Sequence, residues 1–169
     1  IQGAQRSNRT DVVVVATTDH SRDDIIAEYA QKEGAEVYRG DEQDVLGRVY
    51  RTAKQHNAKT VVRITGDCPL LEPSVIDVGI NKLSDDDKDY ISNTIERTFP
   101  RGLDVEIFDM SAFETVEKRS NEPHQREHVT PYFFENQPEF SIGIISSEMV
   151  FEETQFQNRT DIRLTLDEV

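Results

Sequence analysis

The sequence predicts an α/β fold in which a mostly parallel sheet carries helices on both faces. Short segments rich in β-branched residues alternate along the chain with longer segments of helical periodicity, which is the pattern of parallel strands joined by crossover helices. The length of 169 residues suits one domain with a substantial core. The pair Gly66-Asp67 directly follows an apolar strand, as is typical where such a sheet binds a ligand.

The first half of the chain contains three predicted strands with a helix between each pair. Val12-Val13-Val14-Val15 and Thr60-Val61-Val62 are β-branched runs of strand length. The strands are expected near residues 12–16, 35–39 and 60–64, and the helices near 21–33 and 43–56. The first helix has an apolar face formed by Ile25, Ile26, Tyr29 and Ala30. Ser21 is its candidate N-cap, and Gly34 ends it.

The second half continues the alternation. A third helix is expected from Pro73, which suits a first helical position, to about Leu83. Strands are predicted near 89–93, 103–108, 140–145 and 162–166, and a helix near 111–119. A further helix follows Pro123 and should end or kink at Pro131.

Composition limits the partners that the chain can bind. The formal net charge of −14 opposes binding to nucleic acid, because phosphate backbones normally require a basic face. No apolar run approaches the ~20 residues of a membrane span, and the first residues lack the basic start and apolar stretch of a signal peptide. The single cysteine, Cys68, cannot form an internal disulfide. We therefore expect a soluble, cytoplasmic protein that binds neither nucleic acid nor membrane.

Two aspartates follow predicted strands and are candidate metal ligands. Asp67 comes after the strand near 60–64, and Asp167 after the strand near 162–166. A carboxylate in the crevice beyond strand ends is a suitable ligand for Mg²⁺, which usually takes one or two protein carboxylates together with substrate phosphates and water. The alternatives are that Asp67 caps the turn before Pro69 and that Asp167 is an ordinary exposed residue.

A series of short motifs, in this order and spacing, resembles the spore coat polysaccharide cytidylyltransferase-like proteins, relatives of the CMP-sugar synthetases for deoxy-octulosonic and nonulosonic acids. The resemblance covers nearly the whole chain. The motifs are Val15-Ala16-Thr17-Thr18, Tyr38-Arg39-Gly40-Asp41, Asp44-Val45-Leu46-Gly47-Arg48, Arg63-Ile64-Thr65-Gly66-Asp67-Cys68-Pro69-Leu70, Ser92-Asn93-Thr94, Phe99-Pro100-Arg101-Gly102-Leu103-Asp104-Val105-Glu106, Arg126-Glu127-His128-Val129-Thr130-Pro131-Tyr132 and Leu164-Thr165-Leu166-Asp167.

The resemblance implies a reaction and a role for individual residues. A sugar oxygen would attack the α-phosphorus of CTP, releasing pyrophosphate and leaving a CMP-sugar, for surface polysaccharide or glycan synthesis. The implied catalytic residues are Asp67 and Arg63, and the implied Mg²⁺ ligands are Asp67 and Asp167. Implied nucleotide contacts are Arg39, Asp44, Arg48, Arg63, Thr65 and Gly66. The sugar implied by the resemblance is an acidic one. The residues implied to face it are Asn93, Arg97, Gly102, Asp104, Glu106, Arg126, Glu127 and His128.

The resemblance also implies a domain organisation. The fold would be a Rossmann-like nucleotidyltransferase (GT-A-like) sheet in a single domain over 1–169, with residues 94–145 as a sugar-binding lobe. Members of the family open with a strand and a loop of the type Gln-Ala-Arg-x-x-Ser-x-Arg-Leu-Pro-Gly-Lys, which holds the triphosphate. Nothing in this sequence matches that loop, so we expect a domain truncated at both ends. A homodimer is one oligomeric state that the sequence leaves open.

Three alternatives remain on the same residues. A glycosyltransferase or another nucleotidyltransferase could use the same sheet and aspartate. A catalytically silent domain could bind only nucleotide or a partner enzyme. His124-Gln125-Arg126-Glu127-His128 also matches the inverted zinc-peptidase pattern H-x-x-E-H, although the family resemblance explains Arg126-Glu127-His128 without zinc.

Overall fold

Six strands and seven α-helices alternate along residues 1–166, the part of the chain that the computed structural model describes. The strands are β1 (Val14–Thr18), β2 (Glu36–Gly40), β3 (Thr60–Arg63), β4 (Tyr90–Ser92), β5 (Glu106–Asp109) and β6 (Ile142–Ile144). The helices are α1 (Gln2–Gln5), α2 (Asp24–Lys32), α3 (Val45–Gln55), α4 (Pro73–Asp85), α5 (Met110–Arg119), α6 (Pro123–His128) and α7 (Pro131–Glu135). Short 3₁₀ turns cover Ser21–Asp23, Gln137–Glu139, Ser147–Met149 and Thr154–Phe156.

The strands form two hydrogen-bonded sheets. β1 and β2 pair in parallel, with Val14 opposite Glu36 and Thr18 opposite Gly40. The second sheet has the order β3-β5-β4-β6. In it β4 and β6 are parallel, whereas β5 is antiparallel to β3 and to β4. The predicted α/β class is confirmed, and β5 makes the larger sheet mixed.

Alternating side chains of β4 and β5 bury two separate apolar clusters on the two faces of the larger sheet. Ile91 and Ile107 pack into one cluster with Val75 and Ile76 of α4. Tyr90 and Phe108 point the opposite way and pack with residues of α3, α5 and α7, namely Leu46, Phe113 and Phe133. Because side chains alternate along a strand, helices are required on both faces, as the sequence predicted.

Local sequence signals set the helix ends close to the predicted positions. Asp44 caps α3 by accepting the N–H of Gly47 at 3.0 Å, and Asp109 caps α5 by accepting the N–H of Ser111 at 2.8 Å. Side-chain caps of this kind satisfy donors that a helix start leaves unpaired. Prolines occupy the first positions of α4, α6 and α7, and α6 ends at His128, shortly before the predicted break at Pro131.

Ser21, the predicted N-cap of the first helix, is instead the first residue of a 3₁₀ turn, and Asp23 is the N-cap of α2. Two further expectations about elements are wrong. Residues 162–166 form no strand; an isolated parallel bridge joins Arg101 to Arg163 instead. The predicted inner face of the first helix is also mostly outside: only Ala30 is fully buried, while Ile25 is 72% and Tyr29 is 60% exposed. The physical reason is the width of the β1–β2 sheet, since two strands cover only a narrow stripe of a helix. No helix in residues 1–166 is long and apolar enough to cross a membrane.

Candidate active site

One end of the larger sheet gathers the polar residues. Strands β3, β4 and β6 finish at this end and β5 begins there, because β5 runs in the opposite direction. Arg63 lies opposite Glu106 in the register, and Glu106 lies opposite Ser92 on its other side. We call this end of the sheet the strand-end face. In open α/β sheets this is where ligands bind.

The loop after β3 presents an exposed carboxylate at the strand-end face. Thr65, Gly66 and Asp67 are all exposed. The Thr65 hydroxyl donates a hydrogen bond to the Asp67 carboxylate, and the Asp67 carbonyl accepts the N–H of Leu166 at 2.8 Å. Space is open around Gly66, where an added Cβ would meet no atom within 4 Å. Within residues 1–166 no backbone N–H donates to the Asp67 carboxylate, which disfavours the turn-capping alternative.

A carboxylate placed in this way fits one ligand position of a Mg²⁺ ion that takes its other ligands from phosphates and water. In residues 1–166, no group of three or more His, Cys, Asp and Glu side chains is arranged to hold a metal ion. Asp167, the second predicted ligand, lies outside the described residues.

Cys68 is adjacent to this carboxylate, and its surroundings disfavour the reactive thiolate. Its thiol is buried and lies 3.4 Å from the Thr65 hydroxyl and 3.7 Å from the Asp67 carboxylate. Burial raises the pKa of the Cys68 thiol, and the neighbouring Asp67 carboxylate raises it further. Since the thiolate is the reactive form, the burial and raised pKa favour a packing role for Cys68.

Residues 97–104 lie next to the loop that carries Asp67. Arg101 in this segment exchanges backbone hydrogen bonds with Ile162 and Leu164, near the end of the described chain. Arg97 makes two hydrogen bonds to Asp104, of 2.7 and 3.1 Å, and this pairing raises the pKa of Arg97. Gly102 has a φ of +102°, and a Cβ there would lie 2.7 Å from the backbone carbon of Leu164. Only glycine fits so close an approach in that conformation. Gly102 therefore shapes the site through the backbone rather than through a side-chain contact.

Asn93 was predicted to face the sugar, and the structure gives it a different role. It is fully buried. Its Oδ1 accepts the N–H of Val105 at 2.9 Å, and its Nδ2 donates to the Leu103 carbonyl at 2.7 Å. Because Asn93 is fully buried and both ends of its amide are bonded to backbone, it positions residues 103–105 at the entry to β5.

Glu106, also predicted to face the sugar, has a nearly buried side chain whose carboxylate is bonded within the protein. It is 9% exposed, and three side chains donate to its carboxylate. Tyr90 and Thr130 donate to Oε1, at 2.9 and 2.7 Å, and the guanidinium of Arg63 pairs with Oε2. We call these four residues the Glu106 network. Burial of an ionised carboxylate is costly unless hydrogen bonds and an opposite charge compensate it, and here both do.

A second polar cluster joins α3 to α6. Asp44 accepts hydrogen bonds from Arg126 Nε at 2.8 Å and from Arg51 at 3.2 Å. Burial works to raise the pKa of Asp44, but the Gly47 N–H and the Arg126 guanidinium together hold that pKa below its ordinary value. Arg126 also contacts the carbonyl and carboxylate of Glu117, at 3.1 and 3.4 Å. Arg126, predicted to face the sugar, is therefore tied into the protein.

An open cavity of about 310 Å³ lies beside this cluster. Its lining consists of Asp41, Gln43, Asp44, Pro123, Arg126 and Glu127. Glu127 and His128 are exposed on α6, so of the three residues predicted from the Arg126-Glu127-His128 motif these two remain accessible to a substrate.

The predicted nucleotide arginines differ in what their side chains do. Arg39 donates to the carbonyls of Thr18 and His20 at 2.8 and 2.6 Å and pairs with Asp24 at 2.5 Å, so it fastens the end of β2 to the loop after β1. Arg48 donates to the Asp41 carbonyl at 2.6 Å, and burial lowers the pKa of its guanidinium. The Arg48 Nε is buried with no hydrogen-bond partner in the described part of the chain.

The zinc-peptidase alternative finds no support in the geometry. His124 Nε2 lies 2.6 Å from a carboxylate oxygen of Glu135, and His128 is exposed. As noted above, no metal-holding group of side chains occurs in the described residues.

Sequence reasoning missed the two hydroxyls of the Glu106 network and two partners of the Asp44 cluster. Tyr90 looked like an ordinary strand residue, and Arg51 and Glu117 like helix-surface charges. Thr130 lies inside a quoted motif, but no spacing rule connects it with Glu106, 24 residues away.

Comparison with known proteins identifies the family. Residues 1–168 match the family model described as Cytidylyltransferase. A solved cytidylyltransferase of Leptospira borgpetersenii superposes with a TM-score of 0.90 at 32% identity, covering 99% of this chain and 68% of that one. The chain belongs to the cytidylyltransferase family, as the motifs indicated, and its fold is that of a nucleotidyltransferase.

Curated relatives are longer than this chain. It is 36% identical over 169 residues to the uncharacterized protein MJ1063 of Methanocaldococcus jannaschii, and 28% identical over 167 residues to the spore coat polysaccharide biosynthesis protein SpsF of Bacillus subtilis. The matches cover 100% and 98% of this chain but only 66% of each relative. The structure of a CMP:2-keto-3-deoxy-manno-octonic acid synthetase complexed with CTP shares the fold, with a TM-score of 0.59 at 12% identity over 86% of this chain and 77% of that one.

Proposed function

We propose that the intact protein transfers CMP from CTP to an acidic sugar, releases pyrophosphate, and thereby supplies surface polysaccharide or glycan synthesis. The observation that carries the proposal is the exposed Asp67 carboxylate in an open loop beside Arg63 at the strand-end face. Membership of the cytidylyltransferase family supports CTP as the nucleotide. The names of the Bacillus relative and of the octonic acid synthetase support a sugar acceptor.

In the proposed mechanism the protein mainly aligns and neutralises. An oxygen of the sugar forms a bond to the α-phosphorus of CTP while the bond to the departing pyrophosphate breaks. Asp67 would hold Mg²⁺, with Asp167 as a second ligand, and the ion would supply charge neutralisation for the phosphates. Arg63 would stabilise the charge that develops at the α-phosphate.

The remaining assignments place the two substrates. Thr65 and Gly66 would lie beside the base and ribose, where the loop is open. Arg39 and the segment from Asp44 to Arg48, which caps and begins α3, would lie over the nucleotide. Residues 94–145 would form the sugar-binding lobe. Of the residues first assigned to the sugar, Arg97, Asp104, Glu127 and His128 keep side-chain groups that a sugar acid could reach.

We also propose that a triphosphate-binding loop comes from a further part of the protein. Within residues 1–166, β1 pairs only with β2, and β3 only with β5. Each therefore leaves one side without a strand. A strand followed by a basic, glycine-containing loop would satisfy those backbone groups and add the missing phosphate contacts.

The test is pyrophosphate release by the intact protein with Mg²⁺, each of the four NTPs and a panel of sugar acids. Activity should require CTP and a sugar acid. Asp67→Asn should abolish turnover with the fold retained, because a neutral amide is a far weaker Mg²⁺ ligand. Asp85→Asn, a change of the same kind at an exposed position near the far end of α4, should retain full activity. Near wild-type turnover in Asp67→Asn would exclude Asp67 as a metal ligand.

A further inference from the structure

The Glu106 network holds the Arg63 guanidinium at one nitrogen and leaves its other N–H groups available to a ligand. Arg63 is held through Nη1 by the Glu106 carboxylate. Within residues 1–166 this is the only hydrogen bond of the Arg63 side chain, and 19% of that side chain is exposed. A guanidinium has five N–H donors in a rigid fork. Arg63 therefore keeps donors for an anion while one edge of its fork is anchored.

The Glu106 carboxylate, which holds Arg63, is itself held rigidly. Tyr90 is fully buried and stacks on Phe133 with ring centroids 4.8 Å apart. Burial, and then the adjacent Glu106 carboxylate, raise the pKa of Tyr90 well above its usual range, so that its phenol stays a neutral donor. With the Thr130 hydroxyl also on Oε1, the carboxylate can turn away from Arg63 only by breaking two buried hydrogen bonds.

The backbone that delivers Thr130 is strained. Val129 has φ 74° and ψ −52°, and the N–H of Thr130 donates to the His128 carbonyl at 2.9 Å. These values define a γ-turn of the strained kind. Positive φ is especially unfavourable for a β-branched residue, and such a conformation costs on the order of 1–3 kcal/mol. The fully buried Val129 and the bond from Thr130 to Glu106 hold the turn in place.

We propose that Glu106 is a positioning residue rather than a substrate contact, and that Thr130 and Tyr90 fix it so that Arg63 is oriented toward the nucleotide. The strained turn at Val129 links α6, which carries Glu127 and His128, to Arg63 through one hydroxyl. Helix α6, on the proposed sugar side, and Arg63, on the proposed nucleotide side, are thus connected through the rigid contact between Thr130 and Glu106. This inference rests on the proposed function, since it takes Arg63 to contact CTP.

The decisive variants remove one hydroxyl each. In the intact protein, Thr130→Val and Tyr90→Phe should raise the Kd for CTP, measured by titration calorimetry with Mg²⁺, by roughly 3- to 30-fold. Thr130→Ser restores the hydroxyl and should bring the Kd back to within about twofold of wild type. Tyr50→Phe is the matched control, because the Tyr50 hydroxyl donates to Glu114 at 3.1 Å, on α5, and does not contact the Glu106 network.

A merely structural role would lower the melting temperature of the variants without changing the Kd of the folded protein. Folded Thr130→Val and Tyr90→Phe proteins that bind CTP as tightly as wild type would overturn the inference while leaving the proposed function intact. If Thr130→Val does not fold, Tyr90→Phe and Glu106→Gln decide the matter by the same criterion. A wild-type protein that binds no CTP would instead refute the proposed function, and this inference with it.

Discussion

Asp44 should act by holding the start of α3 in place, and replacing it separates two contributions to stability. Asp44→Asn keeps an oxygen that can cap α3 but loses the charge that Arg126 and Arg51 bind. Charge-assisted hydrogen bonds are worth about 1.5–3 kcal/mol and an N-cap about 1 kcal/mol. We expect Asp44→Asn to lower the free energy of unfolding by about 1–2 kcal/mol and Asp44→Ala by about 2–4 kcal/mol, the latter lowering Tm by roughly 5–12 °C.

The same carboxylate predicts a pH dependence with a definite sign. The pKa of Asp44 is lowered in the folded protein, whereas an unfolded aspartate titrates near pH ~4. Its contribution is therefore complete above the unfolded pKa and is lost as the pH falls through the folded pKa. Chemical denaturation at several pH values should show the wild type and Asp44→Asn converging in acid.

The matched control is Asp109, which caps α5 but has no arginine partner among residues 1–166. Asp109→Asn should be nearly neutral, and Asp109→Ala should lose only about 1 kcal/mol. If Asp44→Asn and Asp109→Asn were equally stable relative to wild type at neutral pH, the assigned role of the arginine contacts to Asp44 would be wrong.

Two further predictions concern the loop after β3 and the segment that rests on it. The Cys68 thiol, buried and with a raised pKa, should react with a thiol reagent only slowly at pH 7 and rapidly in denaturant; fast reaction of the native protein would contradict its placement. Gly102→Ala should destabilise the protein by about 1–3 kcal/mol in chemical denaturation, because the new Cβ would meet the backbone at Leu164, whereas Gly66→Ala, in open space, should change stability by no more than about 1 kcal/mol.

The class of fold could be predicted from the sequence because its signals are local. The β-branched runs before Asp19 and before Arg63 became β1 and β3, shifted by no more than two residues, and prolines marked the starts of α4 and α6. Pro131, expected to end or kink a helix, also begins α7. The antiparallel direction of β5 depends on which strand it pairs with, and no local pattern carries that information. The prediction of a buried face on α2 was wrong for a related reason. Ile25 and Tyr29 look like core residues in the sequence until the width of the neighbouring sheet is known.

The exposed position of Asp67 after β3 was predicted from the sequence because it depends on a local pattern, and its role as a metal ligand stays a prediction. The candidate site was not predicted where a residue's role depends on contacts between distant segments. The motifs assign the charged side chains of Glu106 and Arg126 to a substrate. In the fold, Glu106 pairs with Arg63, and Arg126 pairs with Asp44. Charged residues in a motif can serve the geometry of a site without touching the ligand, and only the contacts distinguish the two cases.

The measurement that tests the central claim most directly is titration of the intact protein with CTP, with and without Mg²⁺. With a net charge of −14 over these 169 residues, the protein should bind the triphosphate only when a divalent cation is present. Arg48→Ala should weaken binding by about 1–3 kcal/mol. Arg119→Ala, which removes an exposed arginine paired with Glu139, should bind like wild type. Equal losses in the two variants would show that the nucleotide does not contact Arg48, and full-strength binding without metal would contradict the proposed Mg²⁺-dependent binding of CTP.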